Sequence, residues 1–130
     1  MANIVAEIQA VQFDFSVFEG DDFLWERFLK EMDKDGNELD IPLNGYFAEF
    51  EVVDSDGVRV FLVNTAGTGY PAGDGITLGT TDGQITVYKL DLDTPGKHTY
   101  ALRISVPDTN STQVTIIYGT FEIREKIVTT

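Results

Sequence analysis

Cysteine is absent from this 130-residue sequence, which removes disulfides, thiolate metal sites and thiol nucleophiles together. The core and the backbone ladder must hold the fold without covalent help. Histidine occurs once, so no multi-histidine metal centre can form, and a Ser-His-Asp arrangement would hang on that one ring. His98 follows Lys97 at the entry to a predicted strand with no serine close in sequence, and a structural or solvent-facing role is expected for it. Basic residues are scarce: nine Lys plus Arg stand against 22 Asp plus Glu, for a net charge of -13 and a pI near 4.1. Phosphate backbones and anionic membrane surfaces repel such a chain, so neither nucleic acid nor a membrane is expected as a partner. No stretch approaches the roughly 20 apolar residues of a membrane-spanning helix. The opening MANIVAEIQAV has no basic flank and no long apolar run, unlike a secretory signal. With Met1 at its start, the chain is expected to be a complete product made in a cytoplasm.

Motifs with a chemical mechanism are missing as well. Gly67, Gly69, Gly73 and Gly75 have no Lys after them and no strand-to-helix context, so they do not make a phosphate loop. With 22 carboxylates, some must fall near one another by chance, and no glycosidase-type pair can be read from spacing. No catalytic residue and no cofactor is expected, and the chain reads as a non-enzyme. Asp33-Lys34-Asp35-Gly36-Asn37 places oxygens at the first, third and fifth positions of a calcium loop. Glu38 then stands where the loop needs Gly, and Asn44 where it needs a bidentate Glu. The stretch reads first as an Asp/Gly turn, with Asp33, Asp35 and Asn37 as candidate calcium ligands.

What is present is apolar and alternating. Hydrophobic residues make up 42% of the chain, with nine Phe and five Tyr, enough to fold as one domain around one core. Over 95–123, Tyr100, Leu102, Ile104 and Val106 alternate with Ala101, Arg103 and Ser105, and Val114, Ile116 and Tyr118 alternate with Thr115 and Ile117. This is the two-residue period of strands with one buried face, broken at 107–112 by turn-forming residues, so the stretch predicts a β-hairpin. Gly119 interrupts it, which suggests a bulge or a close backbone approach before Phe121 and Ile123.

The same period marks 10–18 through Val11, Phe13, Phe15 and Val17. It marks 46–53 and 58–63 around the turn Asp54-Ser55-Asp56-Gly57, and 84–90 through Ile85, Val87 and Lys89. Tyr46, Ala48, Phe50 and Val52 fall on one face, with Glu49 and Glu51 opposite. Residues 23–32 are ambiguous, since Leu24, Phe28 and Met32 have helical spacing, but the strand surroundings favour a bulged strand. Leu39, Ile41 and Leu43 alternate around Pro42, which argues for an edge or irregular position. The run 64–75 holds four of the twelve glycines and predicts a long mobile rim loop. Strand signals recurring at about ten residues, without a convincing helix, point to an all-β, antiparallel, immunoglobulin-like β-sandwich of about seven to nine strands. Residues 10–130 would form it, and 1–9, with Ile4, Val5 and Ile8, an N-terminal arm or edge strand. Ile4, Val5, Ile8 and the loop residue Tyr70 are the candidate protein-contact residues. Trp25, Tyr46 and Tyr70 could line a sugar platform if exposed, although core packing is the default for most of them.

The order of these signals resembles a family of phage virion modules, the immunoglobulin-like N-terminal domain of baseplate upper proteins and related tail and neck proteins. The resemblance rests on Phe18-Glu19-Gly20-Asp21-Asp22-Phe23, on Asp33-Lys34-Asp35-Gly36 followed by Leu39, and on Gly83-Gln84-Ile85-Thr86-Val87. It rests further on Thr94-Pro95-Gly96 with Tyr100 and Leu102, and on Tyr118-Gly119-Thr120-Phe121-Glu122-Ile123. It spans about residues 11–125 and implies a non-catalytic virion protein, made in the host cytoplasm and contacting other virion proteins and copies of itself. At this length a stand-alone neck, tail or capsid-decorating protein is expected. The alternative is a carbohydrate-binding or adhesion module of β-sandwich type.

Overall fold

A computed structural model describes residues 10–32, 34–79, 82–107 and 112–126. Among these there are eleven strand segments and no helix. The expected hairpin is β10 (Gly96–Ser105) with β11 (Gln113–Arg124), antiparallel from Gly96 opposite Ile123 to Ser105 opposite Gln113. His98, Tyr100, Leu102 and Ile104 turn inward and are buried, as a two-residue period dictates. The register slips between Leu102 and Arg103, which lets the consecutive Ile116 and Ile117 both be buried.

On the other side of β10 lies β6 (Phe47–Val53), and beyond it β7 (Arg59–Asn64). The turn between them forms as its composition dictates. The Asp54 carboxylate accepts hydrogen bonds from the Asp56 and Val58 amides, each at 2.9 Å, and the Asp54 amide donates to the Val58 carbonyl at 2.8 Å.

The stretch 10–18 differs from the single strand expected there. It forms two short pieces, β1 (Val11–Gln12) and β2 (Phe15–Phe18), both parallel to β11, so this sheet is mixed rather than purely antiparallel. The break falls at Phe13-Asp14 and is bonded three ways. The Phe13 amide donates to the Tyr118 carbonyl at 2.9 Å, the Thr120 amide donates to the Asp14 carboxylate at 2.9 Å, and the Tyr100 hydroxyl donates to the Phe13 carbonyl at 2.5 Å. Gly119 lies directly beneath: a Cβ there would stand 2.3 Å from the Phe13 oxygen. Gly119 thus serves a close backbone approach, while β11 runs through it unbroken.

The second sheet has the order β3 (Phe23–Phe28), β9 (Gln84–Lys89), β8 (Gly75–Leu78). A separate hairpin, β4 (Lys30–Met32) with β5 (Glu38–Asp40), carries a turn at 34–36. Residues 23–32 are therefore a broken strand and not a helix. At the break the Leu29 amide donates to Gly83 and the Leu29 carbonyl accepts from Ile41. Ile41 and Leu43, outside any strand around Pro42, are nonetheless fully buried.

The two sheets pack around one core, a sandwich-like all-β fold. Phe15 joins them. Its ring lies 5.0 Å from Phe23 and 5.3 Å from Trp25 on β3, and 5.1 Å from Tyr100, 5.7 Å from Phe121 and 6.3 Å from Phe50 on the first sheet.

Two outcomes follow from this crossing. Gly119→Ala is expected to lose about 2 kcal/mol or more, since overpacking a fixed backbone contact costs roughly 1–3 kcal/mol; an unchanged urea midpoint would contradict the close approach. Burial first, and then the Asp14 carboxylate, push the Tyr100 hydroxyl above the ordinary phenol range. Its proton is held more tightly in the fold than in the unfolded chain, so the associated stability is intact below about pH 10 and lost as pH rises past it. Tyr100→Phe should cost about 1 kcal/mol at neutral pH and show a shallower alkaline loss in urea titrations; parallel profiles would count against this hydrogen bond.

Candidate functional site

Side chains available for contact lie on two outward sheet faces and one loop. On the first sheet, cross-strand pairing sets Arg103 of β10 opposite Glu49 of β6. The Arg103 guanidinium lies 3.5 Å from Glu49 and 3.4 Å from Glu51, Arg59 pairs with Glu51 at 2.9 Å, and Gln113 donates to Glu49 at 3.4 Å. The Arg59 guanidinium, opposed by partial burial and helped by Arg103, holds the Glu51 carboxyl below its usual range. Sequence alternation put Glu49 and Glu51 on this face but missed both arginines, because their meeting depends on register between distant strands. The two Arg and two Glu neutralise one another within the chain.

The outward face of the second sheet has the opposite character. Register places Leu24, Glu26 and Phe28 of β3 beside Tyr88, Thr86 and Gln84 of β9, with Gly75 and Thr77 of β8 beyond. Glu26 is the one charge among these eight residues, on a chain where acids outnumber bases 22 to 9. Leu24 and Phe28 are 46% and 47% exposed, whereas the outward-facing Thr86 and Tyr88 are only 8% and 9% exposed. They are covered because β9 is the central strand and because Tyr70 packs edge-on against Tyr88, ring centres 5.0 Å apart.

Tyr70 itself is 50% exposed. It extends the apolar row from Leu24 through Tyr88, while the space that Gly75 leaves is filled by the backbone of Gly67 and Gly69. Its loop is folded on itself rather than a free tether. The Gly69 amide donates to Asp74, and the Ala72 and Gly73 amides donate to the Gly69 carbonyl at 2.9 and 3.0 Å. A Cβ at Gly67 would come within 2.5 Å of the Asp74 carbonyl oxygen, so the glycines there allow backbone to pack on backbone.

The remaining candidates separate. Ile4, Val5, Ile8 and Asp33 lie outside the described residues. Asp35 and Asn37 sit exposed on the β4–β5 turn, each engaged within the chain, and no group of three or more His, Asp or Glu among the described residues is placed to hold a metal. The aromatic platform of Trp25, Tyr46 and Tyr70 does not assemble: Trp25 is partly buried edge-on to Phe15, Tyr46 packs against the core, and only Tyr70 is exposed. His98 is buried, with Nε2 donating to the Thr94 carbonyl at 2.8 Å and Nδ1 lacking a partner. It fastens the 90–95 crossing to β10.

Glu51→Gln is expected to cost less than about 1 kcal/mol at neutral pH, as for most surface ion pairs. The depressed carboxyl stabilises the fold above its ordinary value and loses that contribution as pH falls below about 4, so the variant should lose less stability on acidification; an identical acid limb would contradict the ladder. In comparisons with known proteins, no family model and no curated protein matches the chain.

Proposed function

We propose that the chain is an immunoglobulin-like β-sandwich acting as a non-catalytic structural protein of a bacteriophage virion, in a tail, baseplate, neck or capsid-associated position. It works through contacts with other virion proteins and with copies of itself. The immunoglobulin-like reading is supported by strand order. The β3-β9-β8 sheet matches the order B-E-D, and β11-β10-β6-β7 matches G-F-C with an added C′ strand. The phage assignment rests on the sequence resemblance over about residues 11–125.

The observation that carries the contact role is the outward face of the second sheet. Leu24, Phe28 and Tyr70 are each about half exposed, and the charges beside them are few: Glu26 between Leu24 and Phe28, Lys30 with its Nζ 5.9 Å from the Phe28 ring centre, and Asp22 at the Tyr88 hydroxyl. An exposed apolar row bordered by polar side chains is what a protein-protein contact requires, since desolvating it costs little and desolvating the acidic surface elsewhere costs much. Fixed strands and a self-bonded loop hold these side chains in place before binding, which limits the ordering cost.

Sedimentation and particle co-purification test this reading. The chain is expected to form a ring or other closed oligomer, or to co-purify with phage particles, and Leu24→Glu is expected to weaken the assembly without unfolding the monomer. A lone monomer at every concentration, absent from purified particles, would overturn it.

A further inference from the structure

A cleft of about 360 Å³ opens at the other edge of the second sheet, between the turn at 43–46, the start of the glycine-rich loop and β8. Leu43 and Ile76, both buried, form its floor, and Tyr46, Thr65, Thr68 and Thr77 stand around it. None of its nine lining residues is charged, although charged residues make up 24% of the chain. Thr65 accepts a bond from the Ala48 amide at 3.4 Å. The Thr68 and Thr77 hydroxyls make no hydrogen bond among the described residues. β8 is the last strand of its sheet, so its side turned away from β9 carries backbone groups outside the ladder.

We propose that this cleft binds a neutral sugar unit, a hexose of an oligosaccharide. The ligand class follows by elimination. A cation meets no carboxylate in the lining, and an anion is repelled by a net charge of -13. A purely apolar ligand leaves two hydroxyls and edge backbone groups unpaired. A peptide strand added to the edge has only the four residues of β8 to pair with, short of the usual five or six. A hexose matches the rest: its C–H face rests on the half-buried Tyr46 and Leu78, and its hydroxyls exchange neutral hydrogen bonds with threonines and backbone. The volume is at the lower end of ligand pockets, roughly 300–1,000 Å³, enough for one or two sugar rings. This site is independent of the assembly role, and its failure leaves that role standing.

Amide-resolved NMR titration of the intact chain with methyl glucoside, methyl mannoside, methyl galactoside and N-acetylglucosamine tests it. At least one is expected to bind with a millimolar dissociation constant, shifting amides at 43–46, 65–68 and 76–78. Thr77→Lys, on an exposed position, should abolish those shifts while leaving the remaining spectrum in place, and Tyr70→Ala should retain them. No shift with any neutral sugar, equal binding of glucuronate, or shifts centred on Tyr70 would each overturn the proposal. So would shifts at β8 produced by an extended peptide and by no sugar.

Discussion

The contact on which the rest of the structure depends is the Phe13 carbonyl lying on the bare α-carbon of Gly119. A side chain at 119 would hold the N-terminal strand off β11. With glycine there, the chain crosses closely enough for the Tyr100 hydroxyl, the Tyr118 carbonyl and the Thr120 amide all to reach it. Phe15, two residues on, then enters between the sheets and touches aromatic rings from both. Truncating such a ring typically costs 3–5 kcal/mol, against a total stability of about 5–15 kcal/mol for a domain. In a chain without cysteine, this crossing ties the first strand to the last by packing and hydrogen bonds.

Charge is distributed to the same end. Arg59, Arg103, Glu49 and Glu51 neutralise one another on the larger sheet. The outward face of the smaller sheet carries few charges, Glu26 with Lys30 and Asp22 at its margin, and many of the unbalanced acids crowd the turns at 19–22, 54–56 and 91–93. A chain of this net charge repels its own kind at long range, with a reach set by salt. Close contact therefore has to use a face where few charges must be stripped of water. Leu24, Phe28 and Tyr70 provide one, and the uncharged cleft at the β8 edge provides a second surface with different chemistry.

Much of the fold was legible because alternation is a local signal. The hairpin at 95–123, the hairpin around Asp54 and the burial of Phe50, Val52, Leu102 and Ile104 follow from the two-residue period alone. The break at Phe13-Asp14 was not legible, since Val11, Phe13, Phe15 and Val17 alternate without a flaw. Only the distant Gly119 explains why the strand divides and why it runs parallel to β11. The burial of Tyr88 has a related cause: an outward position on a central strand can be covered by a loop ring that no local pattern announces. The candidate contact residue Tyr70 was found from composition, because an aromatic ring among glycines stands out. Leu24 and Phe28, on the same outward face, were hidden in a stretch where helical and strand periods overlapped, and the arginine partners of Glu49 and Glu51 were hidden by register.

Native-state hydrogen exchange at the Phe13 and Thr120 amides tests most directly whether the N-terminal strand is part of the core. If the crossing at Gly119 ties that strand into the sandwich, both amides exchange only through global unfolding, with the same free energy as central amides of β10 and β6. Exchange of these two as a fraying end, while β10 and β6 stay protected, would contradict it.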